Sequence, residues 1–275
     1  MGVSLPTAAT AFYQDLTRGL QAAADSLGLE LHISQADGDA TRQTAQVDSL
    51  LARRVDALVL APVSSRGSGS AVEAANRTRI PVFTTDIPAD AGRVVTHVVS
   101  DHRQGGRSLG EYVARRLDGG GNVVILDQPT EPIVRDRVAG FLEALARYPN
   151  IRIVARPAVE RGQRDLARRR MADLLATDQR IDAVFCTNDD CALGALAAVQ
   201  TARRTGLIVV GYDATPEART AISGGTALVA DAAQDPLTIG RRTIEAVATH
   251  LRGGTLPPLV LVRVGLVERE SRPAL

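Results

Sequence analysis

The chain has 275 residues and a mass of 29.0 kDa, which exceeds one typical domain of about 100 to 150 residues and implies two lobes or one large α/β unit. Hydrophobic residues make up 45% against 23% charged, with 24 Gly and 13 Pro, which excludes a disordered, collagenous or low-complexity protein. The 32 basic and 31 acidic side chains leave a formal charge of +1, so no overall field recommends nucleic acid or a basic partner.

In chain order, short apolar runs alternate with longer amphipathic ones, the pattern of repeated βα units on a parallel sheet. Met1 to Leu5 is only a stub of apolar strand and lacks the basic start and apolar run of a secretory signal; so abrupt a start favours a removed export segment. After a strand at Val3–Leu5, the segment Phe12–Leu27 places Leu16, Leu20, Ala23, Ala24 and Leu27 on one helical face and ends before Gly28. Strands are expected at Leu29–Ile33, Ala57–Leu60, Val82–Thr84 and Val95–Val99, with helices at Thr41–Arg53 and Gly69–Thr78. The chain continues with strands at Val123–Leu126, Ile151–Val154, Ala183–Phe185, Leu207–Val210 and Ala227–Val229. Helices are expected at Gly105–Leu117, Arg135–Arg147, Gln163–Leu175, Asp190–Arg203, Pro216–Ser223 and Ile239–Leu251, and a last apolar run alternates from Leu259 to Val267.

About ten strands is many for one open sheet, so two doubly wound lobes are expected. The first takes 1–101 and 235–258, because the last long helix has no strand of its own in the second lobe and returns to the first. The second takes 102–234 and 259–275. No stretch reaches the roughly 20 apolar residues of a membrane span.

Several motifs dissolve on inspection. Every basic residue is Arg, so there is no Schiff-base or phosphate-loop lysine. Gly106-Arg-Ser-Leu-Gly110 spells G-x-S-x-G, but Ser108 lies well past the strand ending at Val99, not on the sharp turn a nucleophile elbow needs. Gly119–Gly121 precedes a strand, the wrong order for a dinucleotide fingerprint. Asp37-Gly-Asp39 opens like a calcium loop, but Arg42 and Asp48 stand where Gly and Glu belong, so a capping turn is expected. The four His show no metal-ligand spacing, Arg168–Arg170 reads as a solvated helix face, and Cys186 and Cys191 are read as buried reduced thiols. No metal, cofactor or catalytic residue is expected.

What remains is polar residues at the C-terminal ends of strands, where open α/β sheets bind ligands. They are Asp86, Asn188 and Asp213, joined by the aromatic pair Phe12-Tyr13 in the first βα loop of a chain with only four Phe, four Tyr and no Trp. Each polar residue alone reads as a helix cap. Three at equivalent ends point to a shared cleft, in which an aromatic pair can stack on the apolar face of a sugar ring.

Together with Arg137 in Val134-Arg-Asp-Arg-Val-Ala-Gly140, Thr187-Asn-Asp189, Val210-Gly-Tyr-Asp-Ala-Thr-Pro216 and Ala233-Gln-Asp-Pro236, these residues resemble the periplasmic sugar-binding proteins of ribose-binding type. The resemblance runs over essentially the whole chain. It implies two Rossmann-like, doubly wound parallel-sheet lobes joined by three hinge crossings, the periplasmic binding protein type I fold. It also implies a periplasmic, monomeric, non-enzymatic solute-binding protein that closes on a monosaccharide or polyol and delivers it to the membrane permease of an ABC transporter. Phe12 and Tyr13 would stack on the ligand; Asp86, Arg137, Asn188, Asp213 and Gln234 would take its hydroxyls.

Three positions depart from the family pattern: Thr10 replaces a first-loop Asn, Ile87 replaces the Arg after the first-lobe Asp, and Glu160 falls near an aromatic position. Losing an arginine and a stacking ring argues against ribose as the preferred ligand. The rival reading, the effector core of a lactose-repressor-type regulator, shares the fold but needs a helix-turn-helix ahead of it, and Phe12 follows only a strand stub.

Overall fold

The computed structural model describes residues 1–269. The chain divides into two compact units, the first made of Met1–Ser100 and Asp235–Val262, the second of Asp101–Gln234 and the described residues from Arg263. It therefore passes between units three times. Among the described residues no helix is long and apolar enough to cross a membrane.

The first unit is built on β1 (Gly2–Leu5), α1 (Ala11–Ser26), β2 (His32–Gln35), α2 (Ala40–Ala52), β3 (Leu58–Leu60), α3 (Gly69–Arg77), β4 (Val82–Thr85) and β5 (Thr96–Ser100). The second continues with α4 (His102–Arg116), β6 (Gly120–Leu126), α5 (Pro132–Leu145), β7 (Asn150–Ala155), α6 (Arg164–Leu175), β8 (Ala183–Cys186), α7 (Asp189–Thr201), β9 (Ile208–Tyr212), α8 (Pro216–Ser223) and β10 (Leu228–Ala233). Then α9 (Pro236–Leu251) and β11 (Leu259–Val262) return to the first unit, and β12 (Gly265–Glu268) ends in the second.

The sheet orders are β11-β5-β4-β3-β1-β2 and β12-β10-β9-β8-β6-β7. Every pairing is parallel except β12 on β10. Helices cover the faces of such sheets, which is why the central strands are apolar on both sides: Leu58, Val59 and Leu60, and likewise Val123 to Leu126, are buried. The two orders superpose term by term, so β4 in one unit corresponds to β9 in the other and α1 to α5. Helices are exchanged at the crossings: α9 packs on α1, and α4 packs on α5.

Several boundaries differ from the sequence reading: β10 runs on to Ala233 where the strand is expected to end at Val229, and Asp101 opens the second unit rather than closing the first. β2 begins at His32, not Leu29, because the Leu29 N–H is held by the Ala24 carbonyl at the end of α1 (2.9 Å) and pairing with β1 starts only at Gly2↔His32. The alternating run Leu259–Val267 is two strands rather than one. β11 pairs with β5, so residues 259–262 belong to the first unit instead of the second, and the crossing falls at Arg263. Residues 270–275, assigned to the second lobe from sequence, lie outside the described residues.

The G-x-S-x-G string is a packing device in the middle of α4. A Cβ on Gly106 would collide with the Arg137 carbonyl of α5, and one on Gly140 with the Arg103 carbonyl of α4. Ser108, beside the middle residue of the helix, accepts a hydrogen bond from Gln104 Nε2 (3.0 Å). Two other weak motifs resolve as expected: Asp39 caps α2, accepting from Thr41 and Arg42 N–H at 2.8 and 3.1 Å, and Arg168 to Arg170 are exposed on α6. Gly119–Gly121 does not stand ahead of its strand, because Gly120 and Gly121 are the first residues of β6.

Candidate functional site

In the first unit, Thr10 caps α1 by accepting from Tyr13 N–H (3.4 Å), which fixes the aromatic pair in the first helical turn. Phe12 and Tyr13 meet edge to face with centroids 5.2 Å apart, and both lean on the apolar core. The Tyr13 hydroxyl donates to Asp86 Oδ2 at 2.6 Å across 73 residues of sequence. Burial, reinforced by the Asp86 charge, holds the Tyr13 phenol well above its usual pKa, so it remains a donor. Asp86 is buried at the end of β4 with φ +63°, and its N–H is anchored on Val98 O of β5 (3.1 Å).

The second unit repeats this arrangement with different chemistry. Asp213 follows β9 at φ +112°, its N–H anchored on Ala232 O of β10 (2.9 Å). The corresponding helix, α5, reaches it with Arg137, whose Nη1 lies 3.2 Å from Asp213 Oδ1. Positive φ at a non-glycine residue is costly and gathers at functional sites. Here it occurs at the same topological place in both units, each time on an aspartate met by a donor from the first helix.

Arg137 is almost fully buried, and its guanidinium is locked from three sides. Nη1 donates to Thr187 O (2.7 Å), Nε donates to His102 Nδ1 (3.3 Å), and the plane lies 3.9 Å over the Tyr212 ring centroid. Gln234, after β10, donates from Nε2 to Asp213 Oδ1 (2.8 Å). Asn188 caps α7 through Oδ1, accepting from Cys191 N–H (2.8 Å), and donates to Gly162 O at 3.4 Å. Glu160 is exposed in a short 3-10 turn, Glu160–Gly162, and approaches the others only through that Gly162–Asn188 link.

Thus Thr10, Phe12, Tyr13 and Asp86 are gathered in one cluster of the first unit, and Arg137, Asn188, Asp213 and Gln234 in one cluster of the second, with Glu160 at its margin. Sequence reasoning missed Tyr212 and His102, the floor and side wall of the arginine. Tyr212 directly precedes Asp213 within the Val210–Pro216 stretch, yet nothing in the sequence marks it as more than that aspartate's neighbour, and His102 has no ligand spacing to single it out. Chemically, the first cluster offers a carboxylate acceptor and an aromatic edge, and the second a carboxylate, amide groups and a fixed guanidinium, groups that pair with hydroxyls.

Cys186 and Cys191 are free and buried. Burial raises both thiols, Cys191 to about 12. A chromogenic disulfide reagent at mildly alkaline pH should therefore leave the native protein unlabelled and titrate both thiols only in denaturant; labelling of the native protein at the rate of a small free thiol would contradict this.

Comparison with known proteins adds an independent line. A family described as periplasmic binding protein domain matches residues 1–255. The ribose import binding protein of Escherichia coli (strain K12) is 34% identical over 264 residues, covering 94% of this chain and 87% of that protein. The xylitol-binding protein of Mycolicibacterium smegmatis is 31% identical over 218 residues, covering 78% and 62%. Among solved structures, a periplasmic solute binding protein of an ABC transporter from Actinobacillus succinogenes, with bound D-allose, aligns with a TM-score of 0.86 at 25% identity, covering 98% of this chain and 97% of the other.

Proposed function

This chain belongs to the periplasmic binding protein family, in its ribose-type branch, and from that premise we propose that it binds one monosaccharide or polyol for an ABC importer, using the two clusters as half-sites of a single binding site. The observation that carries the reading is the matched pair of positive-φ aspartates, Asp86 and Asp213, each presented by a strand end and met by a helix donor. A carboxylate fixed in this way accepts hydrogen bonds from ligand hydroxyls, while Arg137, Asn188 and Gln234 donate to ligand oxygens and Phe12 offers an apolar surface. Groups already held by protein neighbours need little reordering when the ligand arrives. The proposed setting is the periplasm, the proposed partner a membrane permease and the proposed state a monomer. No nucleophile and base stand together in either half-site, which favours binding over catalysis. The regulator reading has less support, since the relatives described above are import or binding proteins.

A panel of pentoses, hexoses and short polyols, screened by thermal shift and confirmed by calorimetry, tests the proposal, because a tight ligand raises the melting temperature by mass action. Binding to both half-sites draws the units together, so the radius of gyration should fall at saturation; an unchanged radius would count against closure. Asp86→Ala or Asp213→Ala should each weaken binding by roughly 1 to 3 kcal/mol, about five- to 150-fold. Ribose should not give the largest shift, because half-buried Ile87 offers no donor beside Asp86 and Glu160 offers no ring.

A further inference from the structure

Behind the Asp213 turn lies a pair of carboxyl groups with no part in the half-sites above. Asp231, within β10, is fully buried, and Asp189, the first residue of α7, is 4% exposed. Each gives one oxygen to the turn: Asp231 Oδ1 accepts from Ala214 N–H at 3.0 Å, and Asp189 Oδ2 accepts from Thr215 N–H at 2.6 Å. Their remaining oxygens, Asp231 Oδ2 and Asp189 Oδ1, are buried and receive no N–H or O–H from the other described residues. Both border Gly211, where an added side-chain carbon would meet the two oxygens at once, so the carboxyls stand side by side around one small buried space.

Two ionised carboxylates in such contact, away from water, repel strongly, and a shared proton removes the conflict. A buried cation would be the other remedy, but no group of three His, Cys, Asp or Glu among the described residues is placed to hold one. We propose that Asp231 carries the proton and donates it from Oδ2 to Asp189 Oδ1, making the pair a clamp that positions the Asp213 turn for ligand binding. The last step rests on the reading of Asp213 as a ligand acceptor.

The assignment of the proton follows from place. Asp189 opens a helix, whose N-terminal dipole favours the anion, whereas Asp231 sits inside a strand. Burial first, then the charges of Asp189 and Asp213, push the Asp231 carboxyl well above the ordinary range. The other titratable groups facing it are Cys186 of β8 and Tyr212 of β9, both kept neutral by burial. With both oxygens of each carboxyl occupied, Ala214 (φ +51°) and Thr215 are tied down, and Asp213 is held at its strained φ between them and Ala232.

Three readouts test the clamp on the full chain. Infrared spectra at neutral pH should contain a protonated-carboxyl band that Asp231→Asn removes and Asp190→Asn leaves. Without added sugar, amide exchange at Ala214 and Thr215 should be unchanged in Asp231→Asn, whose side-chain amide keeps both bonds, and about tenfold faster or more in Asp231→Ala. A carboxyl with a raised folded pKa stabilises fully below the unfolded value of about 4 and loses that contribution as pH rises toward the folded value. The melting temperature of the wild type should therefore fall relative to Asp231→Asn from about pH 4 upward.

Titration with D-ribose and with xylitol should follow the exchange data, near wild-type affinity in Asp231→Asn and weakened in Asp231→Ala. A missing band in the wild type, parallel pH profiles, or unchanged exchange in Asp231→Ala would overturn the clamp. If the wild type bound neither probe, the choice of ligand class would be at fault, and the band, the exchange and the pH profile would still decide on the carboxyl pair.

Discussion

Removing the Arg137 guanidinium is expected to abolish high-affinity binding and to destabilise the fold at the same time. The side chain is buried, bonded to Thr187 O and His102 Nδ1, and stacked on Tyr212. It is also the cation at 3.2 Å from Asp213, which stands beside the Asp189–Asp231 pair. Arg137→Ala leaves a cavity and an unpaired carbonyl and takes a guanidinium from Asp213, and losing one partner of a buried, hydrogen-bonded charge costs about 3 kcal/mol or more. Denaturant unfolding should register that loss. Calorimetry with the best sugar or polyol of the panel should show affinity reduced by about a hundredfold or more. Arg137→Met keeps the apolar stem over Tyr212 and removes the charge, so it should recover part of the stability and none of the affinity. Wild-type affinity in Arg137→Met would remove this residue from the site.

The second large effect concerns the contact between α4 and α5. Replacing glycine by alanine inside a helix ordinarily gains about 1 kcal/mol from propensity. At Gly140 the new methyl would meet the Arg103 carbonyl and crowd the Arg107 nitrogen at 3.0 Å; at Gly106 it would meet the Arg137 carbonyl and the Phe141 nitrogen at 3.1 Å. The obstacles are backbone atoms of a facing helix, which no rotamer change relieves. Overpacking of this kind costs about 1 to 3 kcal/mol and more where the backbone must move, so the clash outweighs the propensity gain. Gly140→Ala should lower the melting temperature, and Gly106→Ala should in addition weaken sugar binding, because it displaces the helix segment that carries Arg137. Ser108→Ala, two residues beyond Gly106 on α4, should change neither quantity. A Gly106→Ala or Gly140→Ala protein as stable as the wild type would show that the helices do not approach as closely as described.

The placement of Asp86 and Asp213 just past strand ends was legible in the sequence because apolar runs mark the parallel strands of such sheets and so mark where they stop. Caps such as Asp39 and Asn188 were legible for a similar reason, since a cap bonds to backbone two or three residues away. The resemblance supplied Arg137 and Gln234, which periodicity alone would have left among ordinary helix and loop residues.

Local order along the chain determined the strands, the helices and the residues at their ends, since those follow from side-chain alternation and capping within a few residues. Only the tertiary structure decided the partnerships. Tyr13 reaches Asp86 over 73 positions, Arg137 reaches Thr187 over 50, and β11 joins β5 rather than the sheet of β12. Asp231 is the sharpest case: the sequence reading ended its strand at Val229, and the structure continues β10 through Asp231 to Ala233. A carboxyl in a dry strand is tolerated only if another element brings it a partner, and that partner, Asp189 on α7, comes from the packing of helix on sheet. Period and propensity specify which way a side chain faces; what it faces is set by the long-range contacts that close the core.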